Sequence, residues 1–472
     1  MDEPRLGLTY DDVLLVPRRS RVRSRRDVST RSRLTPRIEL EVPVVSANMD
    51  TVTTAPMAIA MAQLGGIGVL HRFLSIEEEA ADVRRVKRYL THVVSEPYTI
   101  APTATLAQAR AEAERLQVTG FLVVDEEQRL LGVLTARDLA AGEEHDAVER
   151  LMTPRERLVT AVPGTGLDEA RRLLHANRVE KLPLVDDADR VAGLVTLRDL
   201  ASVEEYPQAT RDEQGRLCVA AAVGVRGDYI ERAQALVAAE ADVLVLDIAH
   251  AHADAAIEAV SELRAAWPDV EIVGGNVATA DGFRDLVAAG ADAVKVGIGP
   301  GYACTTRLVA GVGVPQLTAV LDCAPAARDT GAPLIADGGV RRPGDVAKAI
   351  AAGASTVMVG SLLAGRVESP GDVVRRRGQL LKVYRGMASR SAAAARFAAE
   401  GRGDSLDQYV AEGEEMEFPL RGPAAEVVED LVGGLRSGMS YADATSVDEF
   451  WEKAVFVRQT EAGERESHPG QP

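Results

Sequence analysis

One unit of helix, turn and strand recurs along this chain, and it limits the possible folds more than any other feature. It occurs at residues 237–247 (VAAEADVLVLD), 287–297 (VAAGADAVKVG) and 350–360 (IAAGASTVMVG). In each copy a turn joins the end of a helical stretch to a short apolar run. Because these runs do not alternate between apolar and polar residues, they predict strands of a parallel sheet that helices cover. The repeat therefore predicts a chain built from βα units.

The chain contains eight apolar runs of this kind. The predicted strands are residues 42–48, 65–71, 218–225, 243–249, 271–277, 293–299, 333–339 and 356–362. Eight βα units, interrupted after the second, predict an α/β fold in which a (β/α)8 TIM barrel carries an inserted domain. A Rossmann fold is disfavoured, because no Gly-X-Gly-X-X-Gly motif follows a strand and opens a helix.

The insertion contains an internal duplication. Residues 132–139 (GVLTARDL) recur as residues 193–200 (GLVTLRDL), and an apolar strand and a helix precede each copy. These two segments resemble a pair of CBS repeats, a module that binds nucleotides. The predicted domains are therefore a barrel of residues 1–91 and 205–472, with a C-terminal flap and tail, and a tandem CBS domain of residues 92–204.

The resemblance to CBS repeats implies an adenine or guanine nucleotide as a regulatory partner. Thr135 with Asp138, and Thr196 with Asp199, match the residues that contact ribose and phosphate in such repeats. A hydroxyl and a carboxylate three residues apart also form a helix cap. Both interpretations of these pairs stay open at the level of sequence.

A glycine-rich loop follows the sixth predicted strand, at residues 297–307 (GIGPGYACTTR). Its glycines let the backbone approach a ligand or an ion closely. Cys304 in this loop is well placed as a nucleophile, since active sites of TIM barrels lie at the carboxyl ends of the strands. The alternative is that Cys304 is a small core residue, as many lone cysteines are.

This loop resembles the catalytic loop of IMP dehydrogenases and GMP reductases, and the resemblance extends from residues 8–17 to residues 466–468. It implies that Cys304, with Thr306 beside it, is catalytic and that its thiolate attacks C2 of a bound purine. Both reactions of the family pass through the same covalent intermediate. In the dehydrogenase water hydrolyses this intermediate, whereas in the reductase a hydride reduces it.

The same resemblance implies binding residues, and most of them lie at predicted strand ends, where a nucleotide is expected to bind. The implied substrate contacts are Asp337, Gly338, Gly339, Gly360, Ser361, Tyr384, Gly386, Met387, Ala388 and Glu412. The implied cofactor contacts are Asp247, Gly297, Ile298 and Gly299. The implied potassium ligands are backbone carbonyls of Gly299, Gly301 and Cys304, with Glu466, Ser467 and His468 of a neighbouring subunit. A homotetramer, or an octamer, is therefore expected.

The choice between the two reactions depends on the flap. Dehydrogenases carry an Asp-Arg-Tyr triplet there, and its arginine is implicated in activating water. Gln408 stands at that arginine's position in this chain, and a neutral amide does not take a proton at pH 7. Residues 46–52, 311–324 and 411–422 also resemble reductases. We therefore expect a GMP reductase that uses NADPH.

Other features favour the alternative, an IMP dehydrogenase that uses NAD. Reductases place a catalytic glutamate where this chain has Arg390, and either Glu412 replaces it or Glu412 only binds the edge of the base. Residues 466–468 (ESH) resemble dehydrogenases, and Tyr302 replaces a serine that contacts phosphate in most relatives. A third possibility is a nucleotide sensor that has lost catalysis.

Composition excludes several other classes of protein. The net charge of −17 disfavours a nucleic-acid partner, so the basic run at residues 18–33 is expected to be a solvated loop rather than an RNA-binding arm. No apolar run approaches the length of a membrane span, and the N-terminus has no signal-peptide pattern. Three scattered cysteines favour a cytoplasmic location. Composition also predicts disorder for residues 461–472.

Overall fold

The computed structural model describes residues 4–89, 97–116, 118–197, 200, 205–399 and 409–467. The chain forms two compact units. The first, here called the barrel unit, contains Met1–Lys87, Gln208–Asp212 and Leu217–Pro472. The second, here called the inserted unit, contains Arg88–Pro207 and Glu213–Arg216.

Eight parallel strands of the barrel unit form a closed barrel. In chain order they are β1 Val44–Ser46, β2 Ile67–Leu70, β3 Ala220–Val223, β4 Val243–Leu246, β5 Glu271–Val277, β6 Ala293–Val296, β7 Leu334–Asp337 and β8 Thr356–Val359. Each strand pairs with its neighbours in the chain, and β8 pairs with β1 to complete the ring. The predicted (β/α)8 TIM barrel is therefore confirmed, and each observed strand lies within a predicted one.

Side chains from alternate strand positions fill the interior of the barrel. The buried members of this core are Leu34, Leu40, Val45, Ala47, Ile67, Val69, Cys218, Ala220, Ala222, Val243, Val245, Val273, Ala293, Ile335 and Met358. Successive side chains of a strand point to opposite faces, so one set enters this core and the other packs against the helices. Leu34 and Leu40 come from a hairpin that directly precedes β1, at the amino ends of the strands.

Helices of the barrel unit follow the strands in alternation. They are α1 Ala55–Gln63, α2 Ile76–Lys87, α3 Tyr229–Ala238, α4 Asp254–Ala266, α5 Ala280–Ala288, α6 Gln316–Thr330, α7 Pro343–Ala351 and α8 Ala424–Tyr441. Local signals set several ends. Thr279 caps the start of α5 by accepting a hydrogen bond from the Gly282 backbone, and Gly331 ends α6 in the left-handed conformation.

The residues after β8 form a further sheet and further helices. A three-stranded antiparallel sheet contains β9 Val374–Arg376, β10 Gln379–Arg385 and β11 Glu415–Pro419. Further helices are Arg390–Ala399, Val447–Lys453 and Glu461–Glu466. The prediction of disorder is therefore wrong for Glu461–Glu466, because Thr460 caps this helix.

Several arginines of the basic run bind acidic or carbonyl groups of the barrel unit. Arg21 pairs with Asp443, Arg31 pairs with Glu39, and Arg18 donates to the Lys453 carbonyl. Several side chains of this basic run thus form contacts within the barrel unit. These contacts favour the expected loop over an RNA-binding arm. Among the described residues, no helix has the length and apolar character needed to cross a membrane.

The inserted unit contains two halves, each with an antiparallel pair of strands. The first half has a four-stranded sheet of Thr99–Ile100, Phe121–Val124, Leu130–Leu134 and Thr153–Pro154. The second half has the antiparallel pair Lys181–Val185 and Val191–Thr196. The main helices are Leu106–Leu116, Ala136–Ala141 and Leu167–Asn177. Each half has its own buried cluster, and the assignment of the unit as a CBS pair stays a prediction.

Candidate active site at the carboxyl ends of the strands

The loop after β6 places Cys304 at the carboxyl end of the barrel. Its first residue, Gly297, has a φ of 153°, and a Cβ there would collide with the carbonyl oxygen of Asp337. Only glycine therefore lets the ends of β6 and β7 approach so closely. Cys304 is half-buried, and its Sγ lies 3.2 Å from the Thr306 hydroxyl. A thiol beside a hydroxyl in a partly open site is accessible to a substrate.

Backbone pairing joins this loop to two other predicted binding segments. The Thr305 amide donates to the Glu412 carbonyl at 2.9 Å, and the Glu412 amide donates to the Ala388 carbonyl at 3.0 Å. Gly386 donates in turn to the carbonyl of Glu414 at 2.9 Å. The structure thus brings Cys304, residues 386–388 and Glu412 together, although they are far apart in sequence.

A pocket lies beside this loop at the ends of β7 and β8. Its lining includes six of the predicted substrate residues, which are Asp337, Gly338, Gly339, Gly360, Ser361 and Tyr384. Gly301, Tyr302 and Arg341 also line it. Backbone amides and hydroxyls that converge in this way suit a phosphate group. Its occupation by a nucleotide stays a prediction.

An aromatic cluster borders the pocket. Tyr384 and Phe418 lie with ring centroids 5.1 Å apart, and Tyr302 lies 5.9 Å from Phe418. Burial raises the pKa of Tyr384, and the nearby Asp337 raises it further. The Tyr384 hydroxyl is therefore a neutral donor over the physiological pH range.

Asp337 is held from behind by two side chains. Lys295 Nζ lies 3.0 Å from Asp337 Oδ2, and Asn276 Nδ2 donates to the same oxygen at 2.8 Å. Lys295 also donates to Asn276 Oδ1. Sequence analysis named Asp337 but missed Lys295. The sequence did contain a sign of its role, because Lys295 stands inside an otherwise apolar strand. A charged side chain is buried in such a strand only when it has a partner.

The predicted cofactor residues lie on the ends of β4 and β6. Asp247 Oδ2 accepts a hydrogen bond from Arg72 Nε at 3.1 Å. The Gly297 carbonyl accepts one from Asn276, and the Ile298 carbonyl accepts one from the Val314 amide at 3.3 Å. These contacts rigidify both segments.

A second ionic contact joins the loop after β1 to the end of β10. Arg385 Nε donates to Asp50 Oδ2 at 2.9 Å, and a second guanidinium nitrogen contacts the same oxygen. His71 is buried nearby, and its pKa is lowered to about 4, mainly because burial disfavours the charged ring. Sequence analysis did not identify this group, because its members come from three distant segments.

The predicted potassium ligands have the right donor chemistry but lie partly outside the described residues. Carbonyl oxygens of a glycine loop suit a hard monovalent cation. The Gly301 carbonyl already accepts the Cys304 amide at 3.1 Å, which leaves its second lone pair for an ion. Glu466 and Ser467 lie at the end of the last helix, and His468 is outside the described residues. Among the described residues no cluster of three or more histidine, cysteine or carboxylate side chains is arranged for a metal.

In the inserted unit, Thr135 and Asp138 bind each other. The Thr135 hydroxyl donates to Asp138 Oδ2 at 2.7 Å, and the pair forms a capping box at the start of Ala136–Ala141. The capping role is therefore real, and the nucleotide role stays a prediction. Thr196 ends a strand, and Asp199 lies outside the described residues.

Sequence comparison identifies relatives over nearly the whole chain. Residues 7–470 match the profile of the IMP dehydrogenase / GMP reductase domain. The chain is 48% identical over 467 residues to the inosine-5'-monophosphate dehydrogenase of Nitrosopumilus maritimus, with 98% of both proteins covered. It is 49% identical over 467 residues to the protein of that name from Aquifex aeolicus, with 98% of this chain and 95% of the relative covered.

Structural comparison identifies solved structures of GMP reductases. A cysteine-to-alanine variant of GMP reductase from Trypanosoma brucei, in complex with guanosine 5'-monophosphate, has a TM-score of 0.94 and 45% identity, and the match covers 100% of this chain and 99% of that one. The T. brucei GMP reductase in complex with guanosine 5'-triphosphate has a TM-score of 0.83 and 42% identity, with 97% of this chain and 99% of that one covered. The protein therefore belongs to the IMP dehydrogenase / GMP reductase family, oxidoreductases that act on purine nucleotides with a nicotinamide cofactor.

Proposed function

We propose that the protein is a GMP reductase, which converts GMP and NADPH to IMP, ammonia and NADP. The covalent part of the proposal is supported by Cys304, whose sulfur lies 3.2 Å from the Thr306 hydroxyl, in the same loop that supplies Gly301 and Tyr302 to the lining of the pocket. The choice of reaction is carried by one observation, which is Gln408 at the position of the dehydrogenases' water-activating arginine.

The proposed reaction begins when the Cys304 thiolate bonds to C2 of the guanine. The amino group on C2 takes up a proton, the carbon–nitrogen bond breaks, and ammonia leaves; the Thr306 hydroxyl, next to the sulfur, is the proposed relay of that proton. NADPH supplies the hydride that C2 then receives. The carbon–sulfur bond breaks last, which releases IMP and restores the thiolate. Asp247 and residues 297–299 are the proposed contacts of the cofactor.

The nucleotide is proposed to bind with its phosphate at Gly338, Gly339, Gly360, Ser361 and Tyr384, and its ribose at Asp337. Its base then faces residues 386–388, which pair with Glu412 and so lie against the cysteine loop. The solved complex of T. brucei GMP reductase with GMP, similar over the whole chain, supports GMP as the nucleotide. Glu412 is the proposed carboxylate for ammonia release, in place of the glutamate that Arg390 replaces.

The test compares both reactions on the same purified chain. NADPH consumption is measured with GMP, and NADH formation is measured with IMP and NAD. We expect the first rate to exceed the second. A faster oxidation of IMP would instead establish the alternative, an IMP dehydrogenase, which the relatives of 47–49% identity bearing that name favour. Binding of GMP without either reaction would indicate a sensor.

We further propose that the inserted unit is a CBS pair that binds an adenine or guanine nucleotide at Thr135, Asp138, Thr196 and Asp199. The solved complex of T. brucei GMP reductase with guanosine 5'-triphosphate is consistent with such a ligand. Light scattering with ATP or GTP tests this proposal and the expected tetramer or octamer together. Loss of nucleotide binding in Asp138→Ala and Asp199→Ala is expected.

The expected potassium ion has its own test. Activity is measured in potassium and in sodium, and it should be higher in potassium.

A further inference from the structure

Lys295 is a buried cation inside the barrel, and only 3% of its side chain is exposed. It lies on β6 between Val294 and Val296, both fully buried. A buried ammonium group is costly unless charged and polar partners surround it. The partners of Lys295 therefore indicate its role.

Those partners are a carboxylate and an amide at the edge of the nucleotide pocket. Lys295 Nζ is 3.0 Å from Asp337 Oδ2, and it also donates to Asn276 Oδ1. Asn276 Nδ2 donates to Asp337 Oδ2 at 2.8 Å and to the Gly297 carbonyl at 2.8 Å. Two donors thus converge on one carboxylate oxygen, Oδ2.

The other oxygen of this carboxylate has no such anchor. Among the residues that the structure describes, no hydrogen bond to Asp337 Oδ1 is present, and 24% of the Asp337 side chain is exposed. Asp337 also lines the pocket. A carboxylate that is charged, oriented and satisfied on one oxygen presents its second oxygen as an acceptor for hydroxyl groups.

We propose that Lys295 is a positioning residue for sugar recognition. By holding Asp337 Oδ2, it fixes the orientation of the carboxylate and turns Oδ1 towards the hydroxyls of the ribose. The lysine thereby makes the enzyme select ribonucleotides over deoxyribonucleotides without touching the sugar. The inference rests on the proposed nucleotide site, but GMP and IMP carry the same ribose, so it holds for either reaction.

The decisive experiment measures sugar discrimination in Lys295→Met. KM, kcat and Kd are determined for GMP, 2'-deoxy-GMP and 2',3'-dideoxy-GMP. The wild-type chain is expected to prefer GMP to the dideoxy analogue by roughly tenfold to a hundredfold, as for hydrogen bonds to a charged acceptor. In Lys295→Met the preference should fall to roughly twofold or less, because GMP loses affinity while the dideoxy analogue hardly does. Lys295→Arg keeps the positive charge and the hydrogen-bond donors, so it should keep most of the wild-type preference for GMP.

Lys87 supplies a matched control for the general effects of removing a buried lysine. Its side chain is also 3% exposed, and it pairs with Asp212 at 2.9 Å and Asp242 at 2.6 Å. Asp242 directly precedes β4, so this group lies at the opposite end of the barrel. Lys87→Met should lower the stability of the protein and leave the ratio between GMP and dideoxy-GMP unchanged.

The proposal is overturned if Lys295→Met weakens all three nucleotides by the same factor, which would make the lysine merely structural. It is also overturned if the wild-type chain does not discriminate, or if Lys295→Met still discriminates as the wild type does. Asp337→Asn combined with Lys295→Met should discriminate no less than either single variant. A chain that oxidises IMP and does not reduce GMP refutes the proposed reaction alone, and the same ratio with IMP and dideoxy-IMP then decides on Lys295.

Discussion

The ion pair between Arg385 and Asp50 gives a prediction with a magnitude. Arg385 ends β10, directly before the residues proposed to contact the base, and Asp50 lies in the loop after β1. The Asp50 side chain is 8% exposed and that of Arg385 is 22% exposed. Replacement of Arg385 by methionine keeps most of the volume and leaves a buried carboxylate without its cation. Asp50 Oδ1 is itself buried without a hydrogen-bond partner among the described residues, so the remaining charge is poorly compensated.

The expected loss of stability is substantial. Removal of one member of a fully buried ion pair costs about 3–5 kcal/mol, and the partial exposure of Arg385 reduces this to about 2–3 kcal/mol. The loss should also affect the site, because the Asp50 amide donates to Met387 Sδ at 3.4 Å and the Arg385 amide donates to Thr51 Oγ1 at 3.3 Å. We expect the KM for GMP to rise by roughly tenfold as this segment loosens.

Denaturation in guanidinium chloride measures the free energy of unfolding of Arg385→Met, Asp50→Asn and the double variant. The double variant should be more stable than Arg385→Met, since the neutral amide removes the unpaired charge. The matched control is Arg376→Met, on neighbouring β9, where an exposed arginine pairs with Glu417 at 2.8 Å. That change should cost less than about 1 kcal/mol. Equal losses for Arg385→Met and Arg376→Met, or additive effects in the double variant, would refute this reasoning.

Three further predictions test the site. Cys304→Ala should abolish turnover while calorimetry still detects GMP binding, and residual turnover would exclude a covalent cysteine intermediate. Gln408→Arg should raise the formation of XMP from IMP and NAD if a water-activating group is what the flap lacks; no gain would remove that basis for the proposed reaction. His71 has a folded pKa of about 4, below its ordinary value of about 6.5, so the unfolded chain binds its proton first as pH falls. The contribution of His71 to the free energy of unfolding is therefore fully present above pH 6.5. It is lost as the pH falls towards 4, and the loss is at most about 3 kcal/mol. His71→Asn, which keeps an acceptor for the Phe73 amide, should flatten this dependence of the unfolding free energy, and an unchanged slope would contradict it.

The sequence was sufficient to predict the strands of the barrel and to single out the loop that contains Cys304. Each barrel strand is an apolar run and each following helix has its own periodicity and end signals, so these are local properties that survive in the linear order. The loop containing Cys304 was recognisable for the same reason, since its glycines, proline and cysteine are adjacent. The prediction failed where composition was used alone, as for the helix Glu461–Glu466.

Only the tertiary structure decided which side chains support the site. Lys295 and Asp337 are 42 residues apart, and Asp50 and Arg385 are 335 apart, so no local pattern links them. Lys295 and Asp337 meet because β6 and β7 pair side by side in the barrel, whereas Asp50 meets Arg385 because the end of β10, in the separate antiparallel sheet, lies against the loop after β1. In both places a charge buried on one segment is compensated from another. The sequence thus determined the strands and the loop that contains Cys304, and the tertiary structure determined which distant side chains meet around that loop.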